Sequence, residues 1–153
     1  MAGQLDPIQL MRKIAELEDK INAMRTIEVG WHPVSLTTPL TSTSWDGDSF
    51  STTAKTLIDL SAVFGVPAGV KAVLIRARAR DSASASGDYW VGLSPNSVAL
   101  SLAIDVKCAD VNDRLGAAQG VVPCDSNGDI YYQISASGAS TMDVWIEIWG
   151  YLI

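Results

Sequence analysis

From Leu10 onward, apolar residues recur at Ile14, Leu17, Ile21 and Met24, at alternating spacings of four and three. That spacing is the seam of a short coiled coil. After Thr26 the period changes to two, with Val, Ile, Thr, Ser and aromatic residues prominent, which is the mark of strands. The switch predicts an N-terminal helix over residues 1–27, serving oligomerisation or attachment, and a β domain over 28–153. A seamed helix leading into a strand-rich domain suits an assembly part better than a catalyst.

Asp6 followed by Pro7 is a sound helix start: the carboxylate can cap free amides, and proline in the first turn forfeits no hydrogen bond. With Ile14 and Ile21 at a, residues Leu10, Leu17 and Met24 fall at d, and Glu28 at the next a position ends the seam. So short a helix is marginal in isolation, and its association needs support from the strand domains. The flanking charges are mixed: Lys13 and Glu18 attract across a parallel interface, whereas Lys20 and Arg25 repel. Ile at a with Leu at d leans toward two strands by rule. Packing on its own domain or insertion into a partner protein are open alternatives.

In the β domain, Trp31–Pro33 reads as a junction. Strands are expected at Val34–Thr38, Thr53–Leu60, Val70–Arg80, Asp88–Leu93, Val98–Val106, around Val121–Val122, at Ile130–Ser135 and at Thr141–Leu152. The Ser/Ala/Gly run 82–87 reads as a loop tip, and no helix-period segment interrupts the strands. The fold class is therefore mainly β, an antiparallel β-sandwich of jelly-roll type preceded by a short coiled-coil helix. In the last strand Met142, Val144, Ile146 and Ile148 point one way, and Asp143, Trp145, Glu147 and Trp149 the other. Burying each tryptophan contributes about 2–3 kcal/mol, so a second sheet, a ligand or a sister subunit is expected over that face. The apolar ending Tyr151–Ile153 is expected to dock into an interface. The predicted oligomer interface thus comprises Leu10, Ile14, Leu17, Ile21, Met24, Trp145 and Trp149.

Composition narrows the partners. Apolar residues make up 48% of the 153, enough for a core, and charged residues only 18%. The net charge is −6, with the excess acid confined to the β domain, which argues against nucleic acid. No apolar run is long enough to span a membrane, and acidic Asp6 with Pro7 stands where a signal peptide needs basic and apolar residues. Synthesis in the cytoplasm without export is expected.

Catalytic and metal motifs are absent from the sequence: no GxSxG, HExxH, P-loop or GxGxxG, and a lone His32. No cofactor or metal is expected. Asp46 and Asp48 resemble a glycosidase carboxylate pair but read better as an Asp-Gly turn. Asp125, Asn127 and Asp129 open like a calcium loop, yet Ile130 and Ala136 occupy its glycine and glutamate positions. Cys108 and Cys124 read as free thiols, with a disulfide as the alternative. Candidate ligand contacts are Trp45 and Trp90, as stacking faces for carbohydrate, and the row Arg76, Arg78 and Arg80. That row can bind an anion or pair with neighbouring carboxylates.

Three stretches carry a resemblance: "TIEVGWHPVSL" at the helix–strand junction, the Ser/Thr-rich "TSTSWDGDSFSTTAKTLIDLSAVFGVPAGVKAVLIRARARDS", and the aromatic ending "DIYYQISASGASTMDVWIEIWGYLI". The chain resembles small structural proteins of tailed bacteriophage particles, of head-fibre, decoration or tail-fibre-knob type. The resemblance implies a non-enzymatic homotrimer located in the virion, held to other virion proteins through its helix. Host recognition through a surface glycan is the alternative it carries.

Overall fold

A computed structural model describes residues 6–26 (21–26 by backbone alone), 30–34, 38–42, 45, 54–83 and 88–153. The chain divides into two compact units, one ending at Gly30 and the other spanning Trp31–Ile153. Asp46, Asp48 and the tip residues 84–87 lie outside the described residues, as do the side chains of Ile21 and Met24.

The first unit is the helix α1 (Pro7–Thr26). Asp6 starts it as expected: its carboxylate accepts the Gln9 N–H at 2.8 Å, and its carbonyl accepts the Leu10 N–H at 3.0 Å. Leu10, Ile14 and Leu17 are about half exposed, at 50, 47 and 57%. Ile8 and Met11 are also exposed, so the apolar stripe is broader near the start than the two-in-seven seam.

Among the described residues the second unit has eight strands: β1 (Trp31–Pro33), β2 (Thr56–Ile58), β3 (Ala72–Asp81), β4 (Trp90–Ser94), β5 (Ile104–Lys107), β6 (Gly116–Pro123), β7 (Ile130–Ser135) and β8 (Met142–Leu152). They form two antiparallel four-stranded sheets, ordered β1-β8-β3-β6 and β2-β7-β4-β5. Only β4 and β5 are consecutive neighbours within a sheet; every other connection crosses between the sheets. The connections therefore gather at two ends. At one, Ser82 N–H meets Thr141 O and Asp113 N–H meets Asp81 O; at the other, Cys124 N–H meets Lys71 O. A mainly β architecture of two sheets with an N-terminal helix is thus what the alternation foretold.

The core forms where the period-two rows face inward. Val73, Ile75, Ala77 and Ala79 of β3 and Met142, Val144, Ile146 and Ile148 of β8 are buried, as are Val91, Leu93, Ile130, Tyr132 and Ile134 of the other sheet. Both expected faces of β3 and β8 are realised.

Several expectations need correction. Trp31–Pro33, the stretch read as a junction, is a strand; the expected strand Val34–Thr38 lies largely outside the described residues, which leave out 35–37, and Val34 N–H bonds Trp149 O. Proline is tolerated there because β1 is an edge strand. The run Thr53–Leu60 shortens to β2, and a helix, α2 (Leu60–Phe64), does interrupt the strands. Asp59 caps α2 through the Ala62 N–H, and Gly65 ends it in the left-handed region at φ 70°. Five residues are too few to show a helical period.

The alternating run Val98–Val106 is mostly loop, with only Ile104–Lys107 paired. The Lys55 ammonium bonds Ser94 Oγ at 2.6 Å, Asn96 O at 3.2 Å and Ser101 O at 2.6 Å, folding the segment back on itself. Leu102 then lies over Gly92, and Val98 and Leu100 are left exposed. β6 is longer than its apolar pair implied. Its inward positions are Gly116, Ala118 and Gly120, and Lys107 O and Ile104 leave no room there for larger side chains.

The chain end is also different. The β3–β8 register shifts between Leu74 and Ile75, so Trp149 is a bulge residue between Ile148 and Gly150. The phase flips after it: Tyr151 pairs with Val73, packs against the core and stacks on His32 at 5.4 Å. Leu152 is partly buried and Ile153 is 40% exposed.

Candidate functional site

On the outer face of the β1-β8-β3-β6 sheet, β3 contributes Arg76, Arg78 and Arg80, and β8 contributes Asp143, Trp145 and Glu147. Cross-strand register sets Arg76 opposite Glu147, Arg78 opposite Trp145 and Arg80 opposite Asp143. The ion pairs do not all follow that register. Arg78 Nη2 reaches diagonally to Glu147 Oε1 at 2.7 Å, and Arg80 Nε donates straight across to Asp143 Oδ2 at 2.6 Å. The hydrogen bond and charge of Asp143 hold the Arg80 guanidinium above its ordinary pKa. Both guanidiniums lie over the Trp145 ring, 5.9 and 5.5 Å from its centroid. Neighbouring carboxylates thus claim two of the three arginines, and Trp145 remains 38% exposed. Arg76 has no ion pair or hydrogen bond among the described residues.

The Arg78–Glu147 pair is incompletely satisfied. Arg78 Nε and Glu147 Oε2 are buried and have no hydrogen-bond partner. Beside them opens a hollow of ≈ 250 Å³, lined by Thr41, Ser42, Trp45, Phe64 and the β8 run 143–147 together with Arg78. Trp45 reaches it from the loop beyond the Leu40–Ile148 bridge and is partly buried. Its ring meets Tyr132 edge-on at 5.4 Å and Phe64 at 6.4 Å. The hollow is therefore lined by two tryptophans and by an ion pair, Arg78–Glu147.

A second region of the same sheet is more apolar. Leu74 is 39% and Val121 46% exposed, beside the half-buried bulge residue Trp149. Arg76 stands among them, bordering shallow hollows of ≈ 190 Å³ with Trp149 and ≈ 240 Å³ with Ala117 and Gln119.

Of the proposed ligand contacts, Trp45 and Arg78 come together at one hollow, with Arg80 next to it. Arg76, opposite Glu147 and Gln119, borders other hollows. Trp90 belongs to β4, in the other sheet, opposite Lys107 and Ser135. Of the proposed interface residues, Trp145 and Trp149 share β8 but border different hollows. Glu147, which lines the same hollow as Trp45, was not among the sequence-predicted contacts. Its only local signal was a carboxylate between two tryptophans on one strand face.

The other candidates have structural duties. Asp125 Oδ1 accepts the N–H groups of Asn127 at 2.9 Å and Asp129 at 3.0 Å, shaping a turn whose Gly128 has φ 92°. Asp129 Oδ1 accepts the Leu60 N–H at 3.1 Å, and burial raises its pKa. Cys108 and Cys124 are free, at opposite ends of β6. An eight-residue strand spans about 26 Å, far beyond the reach of a disulfide. Burial pushes their thiols up to about 11 and about 12, so neither is poised as a nucleophile. Asp81 is fully buried and joined by Ser137, Ala83 and Thr141.

No family model and no curated protein matches this sequence. Among solved structures, a chain titled "nora virus structure" is similar, with 10% sequence identity and a TM-score of 0.36. The similarity covers 70% of this chain and 53% of that one, so this chain spans about half the length of its match. A likeness of that extent carries no functional argument.

Proposed function

We propose that this chain is a non-enzymatic structural protein of a tailed-bacteriophage virion, acting as a homotrimer. Its helix attaches to other proteins of the particle, and its β-sandwich projects as a knob of head-fibre, decoration or compact tail-tip type. The observation that carries the reading is the seam of α1: Leu10, Ile14 and Leu17 stay about half exposed on a helix properly capped by Asp6. Twenty residues at ~1.5 Å each give a rod of roughly 30 Å, too short for a long-reach fibre.

The strand orders β1-β8-β3-β6 and β2-β7-β4-β5 support a jelly roll. That architecture serves viral capsid and lectin domains among others, and fold alone names no function. The exposed Leu74 and Val121 beside Trp149 and Arg76 offer a second surface for sister copies, since aromatic and arginine residues concentrate binding energy. The number three comes from the resemblance to phage proteins; the Ile/Leu heptad rule alone leans toward two.

Mass in solution tests the reading. The full chain is expected to run as a trimer at micromolar concentration by light scattering, and removal of residues 1–26 to weaken or abolish the trimer unless the strand domains suffice. A full-length monomer overturns the proposal.

A further inference from the structure

The β1-β8-β3-β6 sheet ends on β6, an edge strand of eight residues. We propose that β6 pairs antiparallel with β6 of a second copy of this chain, about a two-fold axis through Gln119.

Register decides which backbone groups of β6 are free. Cys124 N–H bonds Lys71 O at 2.8 Å, so Lys71 and Cys124 form a hydrogen-bonded pair. Bonded and non-bonded pairs alternate along an antiparallel ladder. Val73–Val122, Ile75–Gly120 and Ala77–Ala118 are therefore bonded, and Ala117, Gln119 and Val121 turn N–H and C=O away from β3. None of these three amides has a hydrogen-bond partner among the described residues. Pro123 falls in the same outward phase, where its missing N–H costs the sheet nothing. The other edge strands, β1, β2 and β5, have three, three and four residues, and shortness is one way in which native sheets blunt their edges. β6 is longer than any of them, carries no charged residue and pairs with β3 without a bulge.

Self-complementarity names the occupant. With Gln119 opposite Gln119 of the second copy, Ala117 faces Val121 and Val121 faces Ala117, and every outward amide meets a carbonyl. A slide by two residues sets Ala117 against Pro123 and loses a donor. The outward residues are exposed, and this register fits a small side chain to a larger one. Val121 of the second copy comes beside Ala117, at the hollow of ≈ 240 Å³ bordered by Arg76, Ala117 and Gln119. Charge permits the contact. The two Arg76 side chains start three strand spacings apart, roughly 14 Å, which exceeds the screening length of about 8 Å in physiological salt. An isologous contact cannot close a ring of three, so it joins chains of different trimers. It gives a register to the sister-copy surface proposed at Leu74 and Val121, and it does not depend on α1.

Sedimentation velocity on the full chain tests the contact. Ile14→Asn with Leu17→Asn removes the α1 seam, and this background should be a dimer at about 100 μM. Adding Gln119→Lys sets like charges opposite each other on the axis and should raise the dissociation constant at least about tenfold. Adding Gln119→Pro removes the two central hydrogen bonds and should do the same. Gln119 is exposed and its N–H is unused by β3, so both variants should keep the urea midpoint of the background. Should proline disturb the strand, Gln119→Lys carries the test. Leu57→Lys, at an exposed position on the β2 edge, should change nothing. Hydrogen exchange by NMR reads the register. The Ala117, Gln119 and Val121 amides should gain protection as concentration rises and lose it in Gln119→Lys, while Ala118 and Gly120 stay protected in both. A monomeric background at about 100 μM, a dimer indifferent to both Gln119 variants, or no added protection at those three amides each overturns the proposal. The wild-type chain keeps the trimer reading separate: that reading fails if Ile14→Asn with Leu17→Asn leaves the mass unchanged, whatever Gln119→Lys does.

Discussion

Replacing Asp81 tests whether the loops at one end of the sandwich are held by a buried carboxylate. Asp81 is fully buried at the end of β3. It accepts the Ser137 N–H at 2.9 Å, the Ala83 N–H at 2.9 Å, the Thr141 hydroxyl at 3.2 Å and a short bond from the Ser137 hydroxyl. Burial alone raises its pKa, but the bonds from Ser137, Ala83 and Thr141 outweigh it, so the net shift is downward. In Asp81→Ala the Ser137 and Ala83 amides lose an ionised partner. Hydrogen bonds to charged groups contribute about 1.5–3 kcal/mol each. The Ala83 amide lies at an exposed residue and can recover water, so the low end applies: a loss of about 3 kcal/mol. Asp81→Asn keeps the shape and one acceptor oxygen, and should lose about half as much.

Urea unfolding followed by tryptophan fluorescence measures both variants, with an unchanged slope confirming a change in stability alone. The pH dependence supplies a sign. A carboxylate with a depressed folded pKa contributes fully above its unfolded value near ~3.9, and its contribution disappears as pH falls through the folded value. The gap between wild type and Asp81→Asn should therefore be constant from pH 7 to 5 and shrink below about pH 4. A loss under about 0.5 kcal/mol for Asp81→Ala, or a gap that ignores acid, refutes the reasoning.

Three further outcomes are expected. Gly116→Ala should destabilise by about 1–3 kcal/mol and Gly92→Ala by less, in urea titrations. The new Cβ would meet the Lys107 carbonyl oxygen at 2.0 Å in the first case, but only the movable Leu102 side-chain tip at 2.5 Å in the second; equal losses would contradict the packing. With thiols pushed up to about 11 and about 12, Cys108 and Cys124 should react with iodoacetamide at pH 8 at least about a hundredfold more slowly in native protein than in urea. By the same linkage, stability should erode as pH rises past about 8.5 toward 11, and fast native alkylation would deny the burial.

The sequence alone determined what period carries: a capped helix with an apolar seam, and strands β3 and β8 whose alternate residues lie dry. It also determined β7 to the residue, Ile130–Ser135, because turn signals flank that run. Periodicity failed where another segment set the local outcome. Val98–Val106 alternates like a strand, yet Lys55 from a distant part of the chain folds its first half into a loop. The inward face of β6 is glycine and alanine because β5 crowds it, so no apolar row announced it. The bulge at Trp149 redirected the chain end toward His32, and α2 was too short to show a period. Above all, only tertiary structure brought Trp45 to Trp145, and left Glu147 and Arg78 each with an atom unspent. Alternation records which side of a strand avoids water; which strands become neighbours depends on pairing between segments far apart in the chain, and a site made of several strands exists only after that pairing.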